Sequence, residues 1–191
     1  MNHPSQISAL QRQYLYPFIW RVFAILHPGA AFIPNWHIAA LCKALEDVFH
    51  GRTKRLLITM PPRHLKSICI SVGFCAWALG KDPSKKIIVA SYGDRLSREH
   101  TSSFRTLIEN SIYLALFEHM RIDPRANNAS EIRTTNRGGR LAVARGGAVT
   151  GFGADILIVD DLHKADEARS AVERDNTFHF FTDTLLSLIH I

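Results

Sequence analysis

Lys66 and Ser67 follow an apolar run in the stretch LLITMPPRHLKSICIS, residues 56–71. Their order matches the end of the phosphate-binding pattern GxxxxGK[ST], in which the lysine contacts the terminal phosphates of a nucleotide and the hydroxyl binds magnesium. Met60 and Leu65 occupy the two positions where that pattern has glycine. The first question is therefore whether a loop without glycine still holds phosphate.

The residues around this pair keep part of the chemistry of a phosphate site. Pro61 and Pro62 have no N–H group, and Leu65 adds a side chain where the backbone must approach phosphate closely. Arg63 adds a guanidinium whose fork of donors suits a γ-phosphate. By itself the stretch is equally typical of a turn followed by a capped helix. The backbone amides expected to contact phosphate belong to His64, Leu65, Lys66, Ser67 and Ile68.

Asp160 and Asp161 belong to a second stretch with chemical potential, ADILIVDDLHK, residues 154–164. An apolar strand that ends in acids places a carboxylate at the carboxyl end of a parallel sheet, where the magnesium of a bound nucleotide lies. Asp160 is predicted to position that metal, and Asp161 to act as the general base that orients water. The alternative is that two acids end a strand and are solvated there. The upstream Lys-Ser pair favours the chemical interpretation.

Three short apolar runs predict the strands that would position these residues. They are RLLIT (55–59), KIIVAS (86–91) and DILIVDD (155–161), and each is apolar on both faces, as buried parallel strands are. Helix-length segments follow the first two runs, which is typical of a doubly wound sheet. We therefore predict an α/β fold with a mostly parallel sheet flanked by helices.

Three further helical regions are predicted. Residues 5–26 are expected to be helical on both sides of a break at Pro17. Asn35 is expected to cap a helix that ends at Gly51, and a last helix is predicted over residues 165–185.

Residues 121–148 carry six arginines against only Asp123 and Glu131. A Gly-Gly turn signal within EIRTTNRGGRLAVARGG predicts an arginine-rich β-hairpin. Its side chains are expected to contact DNA phosphates without reading sequence; the alternative is an ordinary solvated hairpin. The four arginines expected at this interface are Arg133, Arg137, Arg140 and Arg145.

The composition argues against several other classes of protein. A formal charge of +6 favours an anionic partner. Three cysteines without CxxC spacing and ten histidines without a ligand motif predict buried free thiols and no zinc site. The apolar runs are too short to span a bilayer, and the first residues lack the features of a signal peptide. We therefore expect a soluble, intracellular protein.

The chain resembles the N-terminal ATPase domain of tailed-phage terminase large subunits, the motors that package DNA into proheads. Four stretches carry the resemblance in the family's order and cover roughly residues 30–185. RLLITMPPRHLKS is similar to a glycine-poor phosphate loop, IIVASYGDRLS to the second-strand motif, and ILIVDDLHKADEA to the acidic motif. RTTNRGGRLAVARGGAVTGFGAD is similar to the hairpin and the Thr-Gly-x-Gly loop, which includes Thr150 and Gly151.

The resemblance implies a P-loop NTPase-like ATPase with ATP and Mg²⁺ as cofactors. Lys66 and Ser67 would hold phosphate and metal, Asp160 would position the metal, and Asp161 and Arg63 would be catalytic. The implied partners are double-stranded DNA, a small terminase subunit and a portal, with a homo-oligomeric ring, no membrane, and a location in the cytoplasm of the bacterial host.

The same resemblance sets the expected domain bounds. Residues 1–34 form an N-terminal helical segment and residues 35–185 an incomplete ATPase domain. The last six residues, LSLIHI (186–191), match a translated sequencing-adapter end, and we hypothesise that they are not native; an ordinary apolar helix terminus is the alternative. The family's coupling strand and nuclease domain are not recognised in the sequence, so nuclease activity is not expected.

Two other functions fit the same residues. A helicase-like nucleic-acid-dependent ATPase shares every core residue. A catalytically silent DNA-binding or assembly fragment is suggested by Leu65 and by Asp161, which is one methylene shorter than the usual glutamate. The segment Asn35 to His37 is a weaker candidate to border adenine; the alternative is a helix start with a half-buried aromatic side chain.

Overall fold

The computed structural model describes residues 3–147, 149, 153–164 and 167–189. The chain divides into two compact units. The helical unit comprises Met1–Asp82 and Ser103–Met120, and the sheet unit comprises Pro83–Ser102 and Arg121–Ile191. Residues 35–82 thus group with the N-terminal helices, whereas the boundary expected from the sequence lay at residue 34.

The described part of the chain contains α-helices of 6 to 15 residues. They are α1 (His3–Gln13), α2 (Leu15–Leu26), α3 (Trp36–Phe49), α4 (Cys75–Lys81), α5 (Asp94–Ile108), α6 (Ser111–Leu116) and α7 (Ala171–His179). A π-helical segment, Ile68–Phe74, leads directly into α4, and a second one, Phe180–Leu185, follows α7. Short 3-10 turns lie at Glu167–Arg169 and Leu186–Leu188. Ala165, the predicted start of the last helix, lies outside the described residues.

The break in the N-terminal helical region lies at Tyr14, so the prediction of a break at Pro17 is wrong by three residues. Tyr14 is extended, and the N–H of Leu15 donates to the carboxylate of the buried Glu46 at 2.7 Å. This contact satisfies one of the unpaired donors at the start of α2. Pro17 lies in the first turn of α2, where its missing N–H breaks no helical hydrogen bond.

Aromatic packing holds the core of the helical unit together. Phe18 of α2 is fully buried, and its ring lies edge-on to that of Phe117 with centroids 5.6 Å apart. Tyr113 of α6 is also buried and donates its hydroxyl proton to the carbonyl of Ala76 at 2.7 Å. The hydroxyl is therefore satisfied while the ring fills the core.

The three cysteines are buried free thiols, as predicted. Cys42 lies on α3 and Cys69 and Cys75 on the π-helical segment and α4. Burial raises the pKa of the Cys69 thiol to about 12, so this thiol stays protonated and unreactive at neutral pH.

The predicted strand over residues 55–59 does not form. No described strand pairs with this stretch, and Leu57 is 90% exposed. A strand is stable only when its N–H and C=O groups find partners on a neighbouring strand. The composition of the run is that of a strand, but the partner is missing from the described sheet.

The sheet unit is built on five strands in the spatial order β2-β3-β4-β1-β5. They are β1 (Lys86–Ser91), β2 (Ile122–Asn127), β3 (Glu131–Thr134), β4 (Gly139–Ala144) and β5 (Ile156–Asp160). β1 pairs in parallel with β4 and with β5, whereas β3 pairs antiparallel with β2 and β4. The α/β prediction is confirmed, together with the strands at 86–91 and 155–161, but the sheet is mixed instead of mostly parallel.

One face of this sheet is apolar. Ile88 and Ala90 of β1 pack there with Val143 of β4 and with Leu185 and Leu188 from the end of the chain. The carbonyl of Leu188 also accepts a hydrogen bond from the N–H of Ala154 at 2.8 Å. The described part of residues 186–191 is therefore folded onto the sheet; Ile191 and its neighbour lie outside the described residues.

The other face of the sheet carries buried polar side chains at the carboxyl ends of β1 and β5 and on β4. Since side chains alternate along a strand and β1 is in register with its neighbours, Ser91, Arg140 and Asp160 share this face. The guanidinium of Arg140 donates to the hydroxyl of Thr101, so the first half of α5 packs here.

The turn between β3 and β4 depends on a close backbone approach. A Cβ atom on Gly138 would lie 2.3 Å from the carbonyl oxygen of Pro83 and 2.5 Å from that of Lys85. Both neighbours are backbone atoms that hold the start of β1, so they cannot move aside independently.

We expect Gly138→Ala to lower the free energy of unfolding by about 2–4 kcal/mol, because the added methyl group clashes with backbone. Gly93→Ala is the matched control, since a Cβ atom there meets nothing within 4 Å. Urea unfolding measures both. Equal effects of the two substitutions would contradict the close approach at the turn.

Candidate functional site

The predicted phosphate loop contains two non-glycine residues in the left-handed backbone region. Arg63 has φ of 65° and Leu65 has φ of 61°. Directly after Leu65 the chain becomes helical: Ser67 has helical backbone angles, and the N–H of Cys69 donates to the carbonyl of Leu65 at 2.8 Å. The loop therefore delivers Lys66 and Ser67 into the first turn of a helix.

The conformation of Leu65 bears directly on the missing glycine. Glycine adopts positive φ without steric strain, whereas an L-residue there costs roughly 1–2 kcal/mol. Leu65 occupies a position where the pattern GxxxxGK[ST] has glycine, and it takes the backbone conformation that glycine tolerates best. At position 65 the loop therefore has a backbone conformation typical of glycine but carries the bulkier leucine side chain.

The start of α3 lies beside this loop. The ring of His37 is edge-on to that of His64 at 5.5 Å, and the Nδ1–H of His64 donates to the carbonyl of Pro62 at 2.9 Å. Asn35 is at the N-cap position, as predicted, but its side chain makes no capping hydrogen bond. Trp36 is 80% exposed, so the expectation of a half-buried aromatic side chain at the start of this helix is wrong.

The two acids end β5 in very different environments. Asp160 is the last residue of the strand, is 5% exposed, and is in register with the buried Ser91 at the end of β1. Asp161 is exposed and has φ of 48°. Its carbonyl accepts the N–H of Tyr92 at 3.0 Å, which ties the ends of the two strands together.

His100 lies in the polar layer between α5 and the sheet. Burial lowers its pKa below the ordinary 6.5, although the nearby carboxylate of Asp160 acts in the opposite direction. The positive charge of Arg140 lowers it further. His100 is therefore neutral at pH 7, and within the described residues its Nδ1 atom has no hydrogen-bond partner.

The structure corrects two of the four predicted DNA contacts. Arg140 is 1% exposed and lies between the sheet and α5, so its guanidinium cannot reach a DNA phosphate without opening the fold. Arg145 donates to Thr177 at 2.7 Å and to Glu167 at 2.6 Å, and it also pairs with Glu173 at 3.0 Å. Its guanidinium fastens α7 and the preceding turn to the end of β4.

The other two arginines predicted to contact DNA are exposed. Arg133 pairs with Glu131, two residues before it on β3. Arg137 lies in the turn between β3 and β4 with φ of 67°.

The burial of His100 was not predicted from the sequence. Ser97, His100 and Thr101 are all buried, and their spacing places them on one helix face. Polar residues at helical spacing inside an apolar stripe were the available signal. They indicate a helix that packs on polar atoms of the sheet.

The described residues contain neither a metal-ligand cluster nor an apolar helix of membrane-spanning length. Across the described ranges, no group of three or more His, Cys, Asp or Glu side chains is arranged to hold a metal ion. Magnesium bound mainly through phosphate oxygens and water needs only one or two protein ligands, so Ser67 and Asp160 suit it by chemical type. No helix in the described part of the chain combines the length and apolar character needed to cross a bilayer.

Comparison of the sequence with protein-family models found no match, and comparison with curated proteins found none either.

The left-handed conformation of Leu65 predicts an unusual response to glycine. We expect Leu65→Gly to change the free energy of unfolding by less than about 1 kcal/mol, because relief of backbone strain offsets the lost side chain. Leu96→Gly is the control: Leu96 is also half-buried but lies in the first turn of α5, and the loss there should exceed about 2 kcal/mol. Chemical denaturation measures both, and similar losses would contradict the conformation.

Stability should fall as pH is lowered below 6.5 because of His100. The unfolded chain binds a proton at the ordinary pKa, whereas the folded state does so only at lower pH, so acid favours unfolding. The slope is at most about 1.4 kcal/mol per pH unit. We expect His100→Gln to flatten this dependence between about pH 7 and pH 5, and His119→Gln, at an exposed site, to leave it unchanged. Identical pH profiles for the two variants would refute a buried neutral His100.

Proposed function

We propose that this chain carries the ATPase domain of a DNA-packaging motor of the tailed-phage terminase large-subunit type. ATP would be hydrolysed by in-line attack of water, and the free energy used to move duplex DNA. The proposal rests on the order and spacing of the sequence motifs and on the backbone of the residues within them.

One observation carries the proposal. In the described part of the chain the non-glycine residues with positive φ are Arg63, Leu65, Arg137 and Asp161. Three of these four belong to the two stretches that the sequence indicates for phosphate and magnesium chemistry without reference to backbone angles. Backbone strain in folded proteins is concentrated at functional sites, because it persists only where the surroundings enforce it. The coincidence supports a shared chemical role for the loop and the acidic stretch.

The roles of the residues follow from their chemistry. Lys66 and the backbone amides of residues 64–68 would hold the β and γ phosphates, and the exposed Arg63 would stabilise charge that develops on the γ-phosphate. Ser67 and Asp160 would ligate magnesium directly or through water, and this ion would supply charge neutralisation of the phosphates.

Asp161 is suited to the remaining role. It is exposed, so its carboxylate is accessible to water, and its positive φ turns the chain sharply after the strand. A carboxylate within hydrogen-bond reach of a water molecule can orient it for attack and accept its proton.

The decisive experiment measures ATP turnover with and without linear duplex DNA. Lys66→Ala and Asp160→Asn should each lower kcat/KM by about a hundredfold or more, because each removes charge stabilisation at the transition state. Lys43→Ala is the control; its ammonium is exposed and pairs with Asp47 at 3.0 Å on α3. Because groups that act in one step have non-additive effects, the double variant should be little worse than the poorer single variant.

The outcomes separate the alternatives. Turnover that neither substitution changes would end the ATPase assignment, as would a wild-type chain that neither hydrolyses nor binds ATP. Stimulation by single strands, but not by duplex DNA, would favour the helicase-like function instead.

A further inference from the structure

A concave pocket of about 600 Å³ opens within the sheet unit at the amino-terminal ends of β1 and β4. Lys86 and Gly139, the first residues of these two strands, are paired partners and both line it. The acidic end of β5 is in register with Ser91, five residues further along β1, which corresponds to about 17 Å. The pocket is therefore separate from Asp160 and Asp161.

The charges around this pocket are unbalanced. Its lining includes four basic residues and two acids, Asp123 and Glu131. Glu131 already pairs with Arg133, and the carboxylate of Asp123 accepts the backbone N–H of Arg125 at 3.0 Å. Both acids thus have partners of their own. The basic residues of the lining are Lys86, Arg133, Arg137 and Arg140.

Two of these cations remain available for a ligand. Arg140 is buried and bonded to Thr101, and Arg133 is held by Glu131. Lys86 and Arg137 are exposed, and neither forms an ion pair with another residue of the described chain.

The backbone holds Arg137 firmly at the pocket rim. Its N–H donates to the carbonyl of Thr134 at 3.1 Å, and the two glycines that follow have no room for a Cβ atom. Its φ of 67° is a conformation for which glycine and asparagine are the usual residues. An arginine is not favoured there by the backbone, so its presence points to a role of the side chain.

We propose that this pocket binds a phosphate group, with Lys86 and Arg137 as its cationic contacts. The planar fork of arginine can bind two phosphate oxygens at once, and the lysine ammonium adds a compact charge. The half-buried Leu141 provides apolar wall for the organic part of the ligand. The volume lies in the range of small-molecule sites, and a backbone phosphate of duplex DNA presents the same group as a nucleoside monophosphate.

The test compares two charge-matched double variants of the full chain. Lys86→Ala with Arg137→Gly removes the pocket cations, and glycine suits the backbone at position 137, so misfolding is not expected. Arg95→Ala with Arg98→Ala removes the same charge from exposed positions of α5. Circular dichroism checks the fold of each. The probes are inorganic phosphate, adenosine monophosphate and a short blunt DNA duplex.

The pocket variant should bind its probe at least about tenfold more weakly than wild type, while the α5 variant stays within about twofold. Weaker binding of phosphate and adenosine monophosphate would identify a free phosphate compound as the ligand. Weaker binding of the duplex alone, with the salt slope reduced by about 2, would identify the DNA backbone.

Three results would overturn the proposal: no binding of any probe by the wild-type chain, equal losses in the two variants, or no loss in the pocket variant. The readout is binding without ATP, so the outcome is independent of the turnover experiment. A chain that binds phosphate in the pocket but lacks ATPase activity can therefore be distinguished from a chain that hydrolyses ATP but does not bind phosphate in the pocket.

Discussion

The parallel pairing of β1 with β4 on one side and β5 on the other is the constraint on which the sheet unit depends. Parallel strands bring like ends together, so the buried Ser91, the end of β4 and Asp160 meet at one edge of the sheet. The same pairing brings Lys86 beside Gly139 at the opposite edge. Two chemically different regions, one acidic and one basic, thus arise from a single register.

Buried charge is the second organising feature of this unit. Arg140 and Asp160 are both nearly inaccessible and lie on the same face of the sheet beneath α5. A buried charge is tolerated only when surrounding polar atoms and opposite charge compensate for lost hydration. The hydroxyl oxygen of Thr101 accepts a hydrogen bond from Arg140, and the neutral His100 limits the positive charge in the layer. This polar layer explains why α5 combines an apolar stripe with buried polar residues.

The two stretches that carry the proposed ATPase chemistry contain residues with strained backbone. Left-handed conformations at Arg63, Leu65 and Asp161 each cost roughly 1–3 kcal/mol and require support from neighbouring structure. The support is visible at two of them. Cys69 donates to the carbonyl of Leu65, and Tyr92 donates to the carbonyl of Asp161. The carbonyls of both strained residues are therefore held by the first turn of a helix or by the end of a neighbouring strand.

The sequence alone determined those features that depend on local pattern: the α/β class, the strands at 86–91 and 155–161, the helix after Asn35 and the burial of the cysteines. The spacing of apolar residues and the composition of a segment predict these features, because each residue type has its own preference for burial and for backbone angles. Tertiary structure decided the rest. The stretch 55–59 has strand composition but no partner in the described sheet. Arg140 is buried because Thr101 of α5 lies next to it. Arg145 is paired because Glu167 and Glu173, more than twenty residues further along the chain, lie next to it. Pairing of strands and of charges is a property of two segments at once, and no single stretch of sequence contains its partner.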